Sequence, residues 1–209
     1  TVAAPAPGAH VLPLGDGERD PVLVIPRGHR PDRAAPLLVA LAGAGRNAES
    51  MQRMLGEAAQ RAGAVLLAPQ SVRGTWDGLD GAFGADVARL DAALAATFAR
   101  VAVDTARVWV AGFSDGATYA LSLALANGDL FPRALVFSPG FVVPAARVGR
   151  PVVFVSHGTA DRVLTVERTR RIVADLRAAG YRVRLQEFEG GHELPAAVLD
   201  SAMASLRRR

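Results

Sequence analysis

Residues 37–41, 64–68, 107–111, 134–137 and 152–156 are short, largely apolar runs, and patterns of helical length fall between most of them. A strand reads this way when helices cover both of its faces and leave it no polar side. Residues 47–62 read as a helix that Asn47 or Ser50 can cap. Residues 83–100 place Val87, Leu90, Ala93, Leu94, Ala96 and Phe98 close to helical spacing, and residues 117–127 and 166–179 read as helices too. Upstream, residues 11–14 and 21–25 read as two short strands bracketing Gly15-Asp16-Gly17, a hairpin turn. A strand over 182–188 and a helix from about Pro195 complete the pattern. Two strands followed by repeated strand–helix units predict an α/β fold: a mostly parallel sheet with antiparallel N-terminal strands and flanking helices. Ligands of such sheets bind in the crevice at the carboxyl ends of the strands. The polar residues that follow each strand are therefore the ones that matter for function.

At 209 residues the chain has the size of one domain with a full core. A flexible leader over residues 1–8 and a single domain over 9–209 are expected, the opening Ala-Pro-rich stretch reading as a processed or trimmed terminus. The sequence pI near 10.8 overstates the basic character, because all 24 basic residues are arginine and the formal net charge is only +4. Those arginines are scattered, apart from Arg207-Arg208-Arg209, which argues against a nucleic-acid partner. No apolar run approaches the length of a membrane span. The absence of cysteine excludes disulfides, thiolate metal sites and a cysteine nucleophile, and leaves both the cytosol and secretion open.

Directly after the apolar run Val108-Trp109-Val110-Ala111 comes Gly112-Phe113-Ser114-Asp115-Gly116, and directly after that a helical pattern. A G-x-S-x-G turn between strand and helix is the setting of a strained, exposed nucleophile. A serine hydroxyl is a poor nucleophile at neutral pH unless a base takes its proton. Histidine suits that role, and a carboxylate orients the imidazole and stabilises its charged form. Of the four histidines, His10 and His29 precede the first parallel strand, and His157 sits in the turn presenting Asp161, where it reads as a loop-stabilising group. His192 lies on a glycine-flexed loop after a late strand. Asp161 follows the strand at 152–156. Ser114, Asp161 and His192 thus each follow a strand, in the order Ser, Asp, His. The developing oxyanion needs donors, typically worth about 2.7–4 kcal/mol each. The amide of Asp115 supplies one, its side chain being turned away by the elbow. The amide of Ala44, in the loop Ala42-Gly43-Ala44-Gly45-Arg46, is the candidate for the second.

Together, Ala42-Gly43-Ala44-Gly45, the Ser114 elbow, His157-Gly158-Thr159-Ala160-Asp161 and Gly191-His192 resemble the α/β-hydrolase superfamily over residues 20–209. Within it the chain resembles the compact phospholipase/carboxylesterase and dienelactone-hydrolase-like esterases. The resemblance implies hydrolysis of a small-molecule ester or thioester through an acyl-serine, with no metal and no cofactor. One departure stands out. These families usually carry His-Gly-x-Gly in the oxyanion loop, where the imidazole braces it, and here the first position is Ala42. Trp76 and Phe141 are candidates for lining the substrate site, each with core packing as the alternative. Residues 138–150 are too few to hold an inserted cap domain, so an open site suited to short-acyl or accessible esters is expected. Polyester, feruloyl ester and peptide substrates stay open on the same triad, as does a binding protein that kept the fold without the chemistry. Oligomeric state has no signature in the sequence.

Overall fold

The computed structural model describes residues 5–15 and 17–207. Its strands are β1 (Gly8–Val11), β2 (Val22–Ile25), β3 (Ala35–Leu41), β4 (Val65–Ala68), β5 (Val103–Phe113), β6 (Arg133–Phe137), β7 (Val152–Gly158) and β8 (Val183–Phe188). The α-helices are α1 (Ala48–Arg61), α2 (Ala85–Phe98), α3 (Asp115–Ala126), α4 (Val166–Ala178) and α5 (Ala196–Ser205). The strands form one sheet in the order β1-β2-β4-β3-β5-β6-β7-β8. The β1–β2 and β2–β4 pairs are antiparallel, and every pair from β4 to β8 is parallel. This is the expected α/β-hydrolase fold.

Side chains alternate across the sheet, so consecutive apolar residues feed two separate cores. Leu37, Val39 and Leu41 of β3 face a core shared with Leu90 and Leu94 of α2, Leu121 of α3 and Ile172 of α4. Leu38 and Ala40 face the other, with Met51 and Leu55 of α1 and Val198 and Met203 of α5. Helix α3 is buried from Gly116 to Leu125, which explains its nearly all-apolar composition. Asn47 caps α1: its side chain accepts the Ser50 amide at 3.0 Å, and Ser50 Oγ accepts the Asn47 amide at 3.2 Å.

Three expectations need correction. The first strand is Gly8–Val11 rather than residues 11–14, and its partner is reached through residues 12–21, which include a 3₁₀ turn at Gly17–Arg19, not a tight hairpin. Pro13 has no amide to give a ladder, and Leu14 N–H is taken by Asp20 Oδ1 at 2.9 Å. The expected leader overlaps this strand at Gly8. Its residues 1–4 lie outside the described residues, as do Asp16 of the expected turn and Arg208 and Arg209 of the terminal run. The expected strand at 107–111 begins earlier, at Val103, through a mostly exposed stretch with no apolar pattern.

Chain growth reverses at β3. From it the chain passes to β4 on one side, then returns to β5 on the other. The crevice of such a sheet opens at this switch, outside the carboxyl ends of β3 and β5. Those ends run into Ala42 and Ser114.

Candidate active site

Ser114 joins β5 to α3 with φ 58° and ψ −121°, a left-handed backbone that costs a side-chain-bearing residue of order 1–3 kcal/mol. The neighbouring structure enforces it. A Cβ at Gly112 would sit 2.0 Å from Gly116 O, and one at Gly116 would sit 2.0 Å from Leu41 O. Strand, helix and β3 therefore close on one another only where no side chain intervenes. Ser114 N–H donates to Phe137 O at 2.9 Å, fastening the elbow to the end of β6.

His192 bridges the other two members. Its Nδ1 is 2.7 Å from Asp161 Oδ2, and its Nε2 is 2.9 Å from Ser114 Oγ. A carboxylate only accepts, so Nδ1 carries the proton and Nε2 turns its lone pair to the serine hydroxyl. This is the tautomer that can take a proton from Oγ. The imidazole also lies over Phe113, with ring centroids 4.8 Å apart.

Asp161 is 6% exposed. Its Oδ1 accepts the amides of Val163 at 2.8 Å and Leu164 at 2.9 Å. Burial pushes this carboxyl up, but the hydrogen bonds from His192, Leu164 and Val163 outweigh it and hold the group below its ordinary value. His157 is fully buried behind it. Its Nε2 donates to Leu164 O at 2.7 Å, 3.2 Å from Asp161 Oδ2, and its Nδ1 meets Thr169 Oγ1 at 2.7 Å. The ring thus ties the Asp161 loop, through Leu164, to Thr169 of α4. The Asp161 and His192 loops are also joined through backbone: Thr159 N–H donates to Phe188 O at 2.8 Å and Ala160 N–H to Gly190 O at 2.9 Å. A Cβ at Gly158 would sit 2.2 Å from Gly191 O.

The Ala44 loop follows β3 and faces the elbow. A Cβ on Gly43 would meet Ser114 Cβ at 3.2 Å, so the loop lies against Ser114. Asp115 opens α3, where a helix leaves its first amides without internal partners. Its carboxylate is turned aside as expected, accepting Thr75 Oγ1 at 2.7 Å.

Trp76 belongs to the core. It is 2% exposed, stacks on Tyr119 at 5.0 Å, and donates its indole N–H to Ala42 O at 2.7 Å, so it offers no wall to a substrate. Phe141 is 37% exposed and borders a groove of about 610 Å³ with Gly140, Arg147, Thr165, Arg168 and Arg171. The lining of that groove stops short of Ser114 and His192. Residues 138–151, between β6 and β7, form neither helix nor strand. Sequence reasoning missed Thr75 and Asp86, the latter buried at the start of α2. Neither carries a local signal, since each acts through residues distant in the chain. Among the described residues no group of three or more His, Asp or Glu is placed to hold a metal ion, and no helix is long and apolar enough to cross a membrane.

An eight-stranded sheet with a serine elbow at its switch point, facing a histidine and an aspartate, defines the class of α/β-fold hydrolases. Residues 61–194 match the Dienelactone hydrolase family, and the chain belongs to that family. It is 29% identical over 157 residues to feruloyl esterase C of Emericella nidulans, covering 71% of this chain. The chain spans 57% of the length of that relative. Among solved structures, esterase PE8 superimposes with a TM-score of 0.74 at 24% identity, covering 96% of this chain and 98% of the other. Apo esterase 2 of Thermogutta terrifontis gives 0.73 at 18% identity, covering 96% and 93%. The Bacillus cereus carboxylesterase gives 0.71 at 19% identity, covering 91% and 94%. At these identities the structural likenesses speak to the fold alone.

Proposed function

We propose that the protein is a serine esterase that cleaves carboxylic esters through an acyl-enzyme. The observation that carries this reading is the single imidazole bonded at once to Ser114 Oγ and Asp161 Oδ2. Ser114 Oγ attacks the ester carbonyl while His192 Nε2 takes its proton. The amides of Ala44 and Asp115 hold the oxyanion. As the tetrahedral intermediate collapses, the imidazolium returns the proton to the departing alkoxide, and an acyl-serine remains. Water then attacks with His192 again as base, and collapse of the second intermediate releases the acid as the imidazolium returns its proton to Ser114 Oγ. Asp161 stays ionised throughout, keeps Nδ1 protonated and offsets the imidazolium charge.

The short β6–β7 connection supports an accessible site and hence short-acyl esters or esters on extended chains. Family membership supports ester hydrolysis in general, and the likeness to a feruloyl esterase brings esters of aromatic acids into the same class.

The test is kcat/KM across p-nitrophenyl esters of two to sixteen acyl carbons, with methyl ferulate alongside, for wild type and Ser114→Ala. Activity confined to short chains and to ferulate, and lost in Ser114→Ala, is the expected result. Equal hydrolysis by Ser114→Ala refutes the nucleophile, and a preference for the longest chains refutes the open site.

A further inference from the structure

We propose that Gly74-Thr75-Trp76 is the positioning device of the oxyanion hole, one tripeptide that sets the direction of both donor amides. The proposal rests on the serine-esterase reading above.

Each of the three residues makes a different contact to donor-bearing backbone. Trp76 Nε1 donates to Ala42 O at 2.7 Å. Gly74 O accepts Gly45 N–H at 2.8 Å. Thr75 Oγ1 donates to Asp115 Oδ2 at 2.7 Å. The first two contacts fix the peptide planes 42–43 and 44–45. The Ala44 N–H belongs to plane 43–44, which lies between them. Within that plane Gly43 O accepts Arg46 N–H at 3.1 Å, which closes a turn, and the two flanking contacts hold the turn in place across the crevice, so together they set the direction of this amide. The third contact ties down the residue whose own amide is the second donor. Ala42 thus has no need of a bracing side chain, because its carbonyl is held from across the crevice.

The tripeptide is itself anchored from below. Asp86 accepts the Val72 amide at 2.6 Å through Oδ1 and the Asp77 amide at 2.7 Å through Oδ2. Asp77 in return accepts the Asp86 amide at 2.8 Å and the Tyr119 hydroxyl at 3.0 Å. Tyr119 carries the Trp76 ring stacked on it, with Phe83 edge-on at 5.4 Å. A loop held at both ends and underneath can transmit rigidity to what it touches. Pre-set donors are worth more to a transition state than mobile ones, because no reorganisation is left to do when charge develops.

Trp76→Phe keeps an aromatic ring beside Tyr119 but deletes the N–H along with part of the indole, and Thr75→Val deletes the hydroxyl at a half-buried position while keeping the side chain's shape. Complete removal of an oxyanion donor costs about 10²–10³ in kcat. Misdirecting one costs less, so each variant is expected to lose roughly 10-fold or more in kcat, with KM within about 2-fold. Affinity for a trifluoromethyl ketone, which forms an oxyanion on the serine, is expected to fall in step with kcat. Thr75→Ser restores the hydroxyl and is expected to recover most of the activity. The experiment measures kcat, KM and ketone affinity for wild type, Trp76→Phe, Thr75→Val, Thr75→Ser and Ser114→Ala, with Tm for each. Unchanged kcat in both Trp76→Phe and Thr75→Val, beside an inactive Ser114→Ala, overturns the proposal and leaves the esterase reading standing. A rise in KM at constant kcat also overturns it. If Trp76→Phe fails to fold, Thr75→Val against Thr75→Ser decides alone. Wild-type hydrolysis by Ser114→Ala removes the esterase reading and this proposal with it.

Discussion

Replacing Asp161 with asparagine removes one charge and almost no volume, and the surrounding hydrogen bonds dictate how the amide must sit. Two backbone donors, from Val163 and Leu164, converge on Oδ1. Turning the NH₂ toward them would strand both, at about 1–3 kcal/mol each. The amide oxygen therefore keeps the Oδ1 place, and the NH₂ faces His192 Nδ1, 2.7 Å from the present Oδ2. A donor there forces Nδ1 to become the acceptor, and the imidazole proton moves to Nε2. Nε2 then points an N–H at Ser114 Oγ, where a lone pair is needed. The geometry survives and the base does not. An aspartate-to-asparagine change with this outcome costs about 10⁴-fold in kcat, or about 5.5 kcal/mol at 1.36 kcal/mol per tenfold. The assay is kcat on p-nitrophenyl acetate at saturation, with near-ultraviolet circular dichroism to verify the fold. A loss under about 10-fold in a folded Asp161→Asn variant would refute the tautomer argument.

Two further outcomes follow from the same geometry. At an ordinary position glycine is about 0.5–1 kcal/mol less stabilising than alanine, but the positive φ of Ser114 should reverse that order. Ser114→Gly is expected to melt a few degrees above Ser114→Ala, both being inactive; an equal or lower Tm would mean that the elbow stores no strain. The depressed pKa of Asp161 makes its carboxylate contribute stability above the ordinary aspartate value near 3.8, a contribution lost as pH falls through the lower folded-state value. The Tm difference between wild type and Asp161→Asn is therefore expected to shrink below about pH 3.8, and an equal difference at about pH 7 and about pH 2.5 would count against the linkage.

The sheet was legible because helices cover both of its faces. Runs such as Leu37–Leu41 had nowhere polar to point, and their ends marked where Ser114, Asp161 and His192 had to fall. Legibility failed where structure depends on a single distant partner. Strand β1 sits at the sheet edge with mostly exposed residues, so no apolar period announces it. Trp76 could be placed beside the crevice, but the orientation of its indole was decided by the carbonyl of Ala42, 34 positions earlier. Asp86 reads as an ordinary acid in the first turn of a helix. Only the folded chain shows it buried under the 72–77 loop, where burial pushes its carboxyl above the usual value against the pull of the Val72 and Asp77 amides.

The backbone bonds that join the loops after β7 and β8 alter how the site comes together. Aspartate and histidine arrive on a welded pair of neighbouring strand ends, so their spacing is settled once that pair forms. The serine arrives from β5, two strands from β7 across β6, and reaches His192 through the 2.9 Å contact of Oγ with Nε2 and through the Phe113 ring beside the imidazole. Completing the site is then a matter of setting one joined pair of loops against one elbow on a common sheet, rather than a meeting of three separate parts.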